Sequence, residues 1–416
     1  MDKETMFEYI QRLKLAVITL FKWLFCSVVC GCFIGSVGAV FHLMLGYVGS
    51  LRVEYPFLLF GLPVAGIIIV FMYNIVHEAG NRGTNLVITA IQSNDEVPGR
   101  VAPLIIVSTL LTHLCGGSAG REGAALQVGG ALGNTFAKLF KFDEKDTRIM
   151  IMCGMSACFS ALFGTAVFSM EVISVGVMYY AALVPCVLAA FIAQGIASAL
   201  GLESTHFVVD EITSFSFING SKFIIMSVLF ALVSILLCVV LHGTSKLYTD
   251  YINNPYIRII IAGALVIAMR YIFGTTDYLG AGSDIIARSF VTSCAWYVFL
   301  LKMLFTAVTL GGGFKGGEIV PTLFVGATLG SFLAPIFGLP VGLCAACGMV
   351  SVFCGVTNCP LTSFILSIEM FGASTMKFTI LCIALSYLLS GYYSLYNSQK
   401  IVYSKYKTEY INRRSH

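Results

Sequence analysis

Gly120-Arg121-Glu122-Gly123 runs into Leu126-Gln127-Val128-Gly129-Gly130-Ala131-Leu132-Gly133, and the pattern returns later in the chain. There it reads Gly311-Gly312-Gly313-Phe314-Lys315-Gly316-Gly317-Glu318, then Leu323-Phe324-Val325-Gly326-Ala327-Thr328-Leu329-Gly330. The shared tail is L-x-V-G-x-x-L-G, at an offset of 323 − 126 = 197. In each copy a glycine-rich break carrying one carboxylate opens an apolar helix. Helix starts expose free N–H groups that attract anions. Two such starts, each with a titratable acid beside it, describe an anion site inside a membrane.

Composition agrees with a membrane setting. Of 416 residues, 58% are hydrophobic and 11% charged, against roughly 25% charged in soluble domains. The mean hydropathy is +0.89. Apolar stretches of about 20 residues, enough to span a bilayer, recur from the first fifty residues to the last forty. The first, Leu15 to about Tyr47, is too long for a secretory signal and predicts a retained, tilted span. Lys3, Arg12, Lys14 and Lys22 flank it, and Lys400, Lys405, Lys407, Arg413 and Arg414 follow the last span. Positive residues stay inside, which predicts both termini in the cytoplasm and an even number of crossings. The net charge of +4 reflects this topology and gives no argument for nucleic acid. The 14 cysteines are scattered through apolar stretches, where a free thiol acts as a small hydrophobe. Cys344-Ala345-Ala346-Cys347 has no second pair and no nearby histidine, so it is no metal or redox motif.

Two weaker repeats follow the first. Phe168-Ser169-Met170-Glu171-Val172 matches Leu366-Ser367-Ile368-Glu369-Met370 at 369 − 171 = 198, and Arg82–Val87 matches Ala281–Ile286 at 282 − 83 = 199. Three pairs in one order at nearly one offset predict two homologous membrane repeats, residues 1–205 and 215–400, joined by the polar stretch Glu203–Ser216. A short cytoplasmic tail, residues 401–416, is expected to follow, with no appended regulatory domain. Thr84–Ile91 and Ser283–Val291 are too short to cross. Such broken or re-entrant helices survive at membrane depth only inside protein or beside a water-filled cavity.

The Gly120–Gly123 motif, the Gly311–Pro321 run, Phe168–Val172 and the terminal Leu395-Tyr396 together resemble the CLC family of anion channels and anion/proton antiporters, over nearly the whole chain and in the same order. The resemblance implies an all-α polytopic fold of two inverted repeats with broken helices, and a homodimer with one anion pathway per subunit. It also implies that Tyr396 contacts the anion. Departures from the usual family pattern carry further information. Thr84 replaces a serine in Gly83-Thr84-Asn85-Leu86-Val87 and the usual proline is gone; Ala124 replaces another proline; Val172 stands where chloride antiporters carry a relay glutamate; Glu318 intrudes in an apolar motif. Together these resemble the fluoride-exporting branch, which couples fluoride exit to proton entry.

The chemistry of the residues points the same way. Glu122 sits at a helix start, where the macrodipole favours negative charge. Deprotonated, it can occupy an anion's place; protonated, it can yield that place. Capping its own helix is the plainer alternative. Arg121 is expected to orient Glu122 or to satisfy loop carbonyls. Glu318 is an intramembrane acid and so a candidate second gate or proton group; its alternative is a surface pair with Lys315. Thr84 offers a hydroxyl donor, and the missing proline frees the Val87 amide. Gly120, Gly123 and Ile319 supply backbone at the two helix starts. Glu171 and Glu369 read as a symmetric structural pair bonding loop amides, and Asp277, Asp284 and Arg288 as caps of short helices. Asn94–Arg100 reads as an exposed loop.

The resulting expectation is a fluoride/proton antiporter of a bacterial plasma membrane that needs no cofactor. A chloride/proton antiporter or chloride channel of the same fold is the first rival; Val172 weakens the antiporter and Glu122 the open channel. An intramembrane enzyme would need a nucleophile–base pair or metal ligands. His113 stands near Glu122 in sequence, but no G-x-S-x-G or H-E-x-x-H accompanies it.

Overall fold

The computed structural model describes residues 3–78, 83–93, 95–163, 168–202 and 205–416. Arg82, Asn94, Glu203 and Ser204 of the sequence readings lie outside the described residues. The first half holds α1 (Lys3–Glu54), α2 (Leu62–Ile75), α3 (Thr84–Ser93), α4 (Val101–Leu114), α5 (Glu122–Leu139), α6 (Glu144–Phe163), α7 (Phe168–Glu171) and α8 (Leu183–Ala199). The second holds α9 (Phe217–Tyr251), α10 (Pro255–Ile272), α11 (Ser283–Ser289), α12 (Val298–Gly311), α13 (Ile319–Phe337), α14 (Val341–Thr357), α15 (Pro360–Phe371) and α16 (Met376–Leu389). Adding 197 to the bounds of α4 gives those of α12, and adding it to the starts of α5 and α6 gives the starts of α13 and α14.

Among the described residues, seven helices are long and apolar enough to cross a membrane. They sort into inner and outer helices. In the apolar window of Ile319–Phe337, 83% is buried, against 22% in that of Pro255–Ile272. The second keeps its apolar side chains on the outside, as a lipid-facing helix must.

α1 is longer than the expected Leu15–Tyr47 span. It is a single 52-residue helix, roughly 78 Å at 1.5 Å per residue, and residues 5–21 are exposed along it. The ion pair of Lys22 with Asp146 ties it to the start of α6.

The L-x-V-G-x-x-L-G glycines have a packing purpose. Gly129 and Gly133 of α5 lie against the backbone of Gly154 and Met150 in α6, and their images Gly326 and Gly330 of α13 lie against Gly348 and Cys344 in α14. A methyl at any of these positions would meet a carbonyl of the neighbouring helix. Small residues at this spacing let helix backbones close together where water gives no hydrophobic push.

The short tail read at residues 401–416 carries regular structure. β1 (Ser174–Val175) pairs in parallel with β2 (Lys400–Tyr403), which pairs antiparallel with β3 (Tyr410–Arg414). Residues 205–216 have no regular structure, yet Phe207 stacks on Phe290 with ring centroids 4.6 Å apart. The loop before α4 is tied down as well: Val97 is buried and its carbonyl accepts from Asn134 Nδ2 at 2.8 Å.

Candidate functional site

α5 begins at Glu122 and α13 at Ile319, each after a glycine loop, and the two loops meet. Gly120 N–H donates to the Gly317 carbonyl at 2.6 Å, and Gly317 N–H donates back to Gly120 at 2.7 Å. The paired residues are themselves 317 − 120 = 197 apart, the offset of the repeated motif. Only glycine permits this approach. A Cβ on Gly317 would lie 2.7 Å from the Gly123 nitrogen, and one on Gly123 would lie 3.1 Å from the Gly317 Cα. The first amides of α5 therefore crowd against the loop that opens α13, placing two helix N-termini side by side.

Glu122 is fully buried at this junction. Its Oε2 accepts from the Arg121 amide at 3.0 Å, and its Oε1 lies 3.5 Å from Arg121 Nε without a hydrogen bond among the described residues. Of the two roles open to Arg121, the geometry favours orienting Glu122. A buried carboxylate oxygen without a hydrogen bond asks for an explanation, and an exchanging proton or anion supplies one.

Thr84 is the first residue of α3 and is buried. Its hydroxyl makes two long contacts, 3.4 Å to the Gly123 carbonyl and 3.5 Å from Gln127 Nε2. Both lie at the outer edge of hydrogen bonding, so the donor is not committed to protein. Gln127 Nε2 also donates to the Gly123 carbonyl at 3.1 Å. Sequence reasoning passed over Gln127. Its signal was available: a glutamine stands where the second copy has Phe324.

Glu318 is the N-cap residue of α13, with no side-chain cap bond. Its carboxylate has no hydrogen bond or ion pair among the described residues. It lines a polar cavity of about 170 Å³ with Asn85, His242, Ser245, Leu395 and Asn397. The Lys315–Glu318 pair is not formed; the Lys315 ammonium sits over the Tyr73 ring, 4.5 Å from its centroid. Tyr396 follows Leu395 in the loop after α16. It is 1% exposed, and its hydroxyl has no protein partner among the described residues. His242 Nε2–H donates to the Leu395 carbonyl at 3.1 Å.

Other expectations change. Glu171 binds backbone amides, but those of a helix start and not of a loop: it accepts from the Leu361 and Thr362 amides at 2.9 and 2.7 Å and from the Thr362 hydroxyl at 2.6 Å, capping α15 from the other half of the chain. Glu369 does not repeat this. Its Oε2 is buried without a partner among the described residues, so the pair is symmetric in sequence only. Asp277 and Arg288 pair with each other at 3.6 Å and cap no helix; Asp284 stays in the first turn of α11, whose N-cap is Gly282. Val172 is fully buried, and its carbonyl accepts from Gln399 Nε2 at 3.0 Å. His113 supports the Glu122 loop, its Nε2–H donating to the Gly120 carbonyl at 3.2 Å.

Known proteins share this fold. A family model described as "Voltage gated chloride channel" matches residues 64–391. A "Chloride/fluoride channel protein" of Pseudomonas syringae pv. tomato is 34% identical over 396 residues, covering 92% of this chain and 88% of that protein. Among solved structures, a "CLC-type fluoride/proton antiporter" superposes with a TM-score of 0.88 at 32% identity, covering 91% of this chain and 98% of that one. A "slow cyanobacterial Cl-/H+ antiporter" superposes at 0.75 with 18% identity, covering 88% and 94%, a likeness of fold alone. These are channels and antiporters, not enzymes. With its apolar helices and broken helix starts meeting at Glu122, the chain is a multi-pass membrane protein that belongs to the voltage gated chloride channel family, the CLC family.

Proposed function

We propose that this protein exports fluoride from the cytoplasm in exchange for protons. The observation that carries the reading is Glu122, fully buried where two helix starts meet and with one carboxylate oxygen lacking a hydrogen bond. Charged, it fills the place of an anion at the head of α5; protonated, it releases that place. One group that is alternately anion mimic and proton carrier exchanges the two. Glu318 is the second acid on the path, facing the polar cavity beside Leu395 and Asn397. The anion's ligands are the Thr84 and Tyr396 hydroxyls and the backbone of Gly120, Gly123 and Ile319. Fluoride is small and strongly hydrated, so its capture needs close, uncommitted donors, and both hydroxyls are of that kind. Names of two relatives similar over nine-tenths of the chain support the anion.

The working unit is a homodimer in the plasma membrane with one pathway per subunit, each built from inverted repeats 1–205 and 215–400. The lysines and arginines flanking the first and last spans support cytoplasmic termini.

Liposomes loaded with potassium fluoride or potassium chloride, each followed with a selective electrode, test the reading. Faster fluoride efflux is expected. Equal rates, or faster chloride, would reassign the protein to chloride exchange.

A further inference from the structure

The loop that carries Tyr396 is held from two sides. On one side, Leu395 N–H donates to the Val356 carbonyl at 2.9 Å, near the end of α14. On the other side stand residues 415 and 416. Ser415 N–H donates to the Gln399 carbonyl at 3.0 Å, His416 N–H donates to the Tyr392 carbonyl at 2.9 Å, and Ser394 N–H donates to the His416 carbonyl at 3.1 Å. The Ser415 hydroxyl, 9% exposed as a residue, donates to the carbonyl of Tyr396 itself at 2.7 Å. That carbonyl also accepts from Gln399 N–H at 2.9 Å, and the Tyr396 amide donates to Ser394 Oγ at 3.1 Å. Both backbone groups of Tyr396 are therefore committed while its phenol is free.

A half-buried lysine anchors the segment between β2 and β3. The Lys405 ammonium donates to the Asn358 side-chain oxygen, to the Tyr387 carbonyl at 2.9 Å and to Ser390 Oγ at 3.3 Å. Asn358 and Ser390 are the C-cap residues of α14 and α16, where unpaired carbonyls favour a cation. Asn358 Nδ2 in turn donates to Tyr393 O at 3.0 Å and Gln399 Oε1 at 2.9 Å.

We infer that residues 400–416 are part of the transport machinery: a brace, locked by Lys405, in which Ser415 positions Tyr396 so that its hydroxyl meets the passing anion. The inference rests on the proposed reading of Tyr396 as an anion contact. A tail serving only solubility would not place a buried hydroxyl on that one carbonyl.

The test uses full-length variants in liposomes and follows efflux against internal anion concentration, with whichever anion the wild type carries. A wild type that moves chloride and no fluoride would overturn the proposed substrate while leaving this test readable. Ser415→Ala is expected to raise the half-saturating concentration about three- to tenfold, the worth of one hydrogen bond, with the maximal rate within about twofold. Ser415→Thr, which keeps the hydroxyl, restores it, and Lys405→Met shifts it in the same direction as Ser415→Ala. Tyr396→Phe also raises it, and adding Ser415→Ala to Tyr396→Phe changes nothing further, as coupled sites require. An unchanged half-saturating concentration in Ser415→Ala overturns the inference. So does an unaltered Tyr396→Phe protein, or a Ser415→Ala shift of full size on top of Tyr396→Phe. Any of these would leave the tail a stabilising element, readable in melting temperature alone.

Discussion

The two glycine loops share a backbone and differ in chemistry. Gly120 and Gly317 exchange hydrogen bonds as equivalent residues, and α5 and α13 start at equivalent places. Their acids do not superpose. At the offset of 197, Arg121 corresponds to Glu318 and Glu122 to Ile319. In the first loop the carboxylate is sealed in protein and held by its neighbouring arginine. In the second it stands one residue earlier, with no cation, on a polar cavity. Two helix N-termini of one backbone design thus carry their acids differently, one sealed in protein and the other on a cavity. Under the proposed antiport, this asymmetry lets protons and anions be handled at different points.

The comparison can be broken at four places. The largest effect is expected at Glu122. Glu122→Gln fixes the neutral form, and fluoride-driven proton uptake should fall by at least about a hundredfold, the scale of losing a proton-transfer group. Normal uptake in that variant would move the exchange elsewhere. Next comes Glu318→Gln, for which fluoride turnover measured across pH should change about tenfold and lose much of its pH dependence. Lys315→Met should stay within about twofold, because Lys315 rests on Tyr73 and does not pair with Glu318. Equal effects from the two substitutions would restore the ion-pair reading.

A third contrast concerns Glu171 and Glu369. Glu171→Gln weakens three hydrogen bonds to the start of α15 and should lower thermal stability by about 1–3 kcal/mol, read as a drop in melting temperature in detergent. Glu369→Gln, which breaks no hydrogen bond among the described residues, should cost less. The smallest effect is expected at Thr84. Thr84→Val removes one uncommitted donor and should reduce the fluoride-to-chloride efflux ratio severalfold, up to about tenfold. An unchanged ratio would remove Thr84 from the list of anion ligands.

The sequence made some of this legible for a physical reason. Helix starts, glycine breaks and intramembrane acids leave local signatures, so Glu122, Glu318 and the duplicated loops could be read from residues alone. The L-x-V-G-x-x-L-G glycines were also visible, but their use was not. Gly129 and Gly326 pack helix on helix, and no local pattern distinguishes that from an anion-binding loop. Contacts across the chain were hidden altogether. Glu171 reaches α15 from nearly two hundred residues away, and Ser415 reaches Tyr396 through a hairpin that no local pattern announces. Gln127 was missed because it sat inside a motif read for its glycines and its helix start.

The central claim is coupling, and coupling is measured most directly as proton movement. Wild-type protein in liposomes loaded with potassium fluoride, diluted into weakly buffered medium free of fluoride, should draw protons in as fluoride leaves. External pH should rise in step with the fluoride electrode, and a matched chloride load should give a smaller signal on both. Fluoride efflux without any proton uptake would contradict the account and make the protein a fluoride channel.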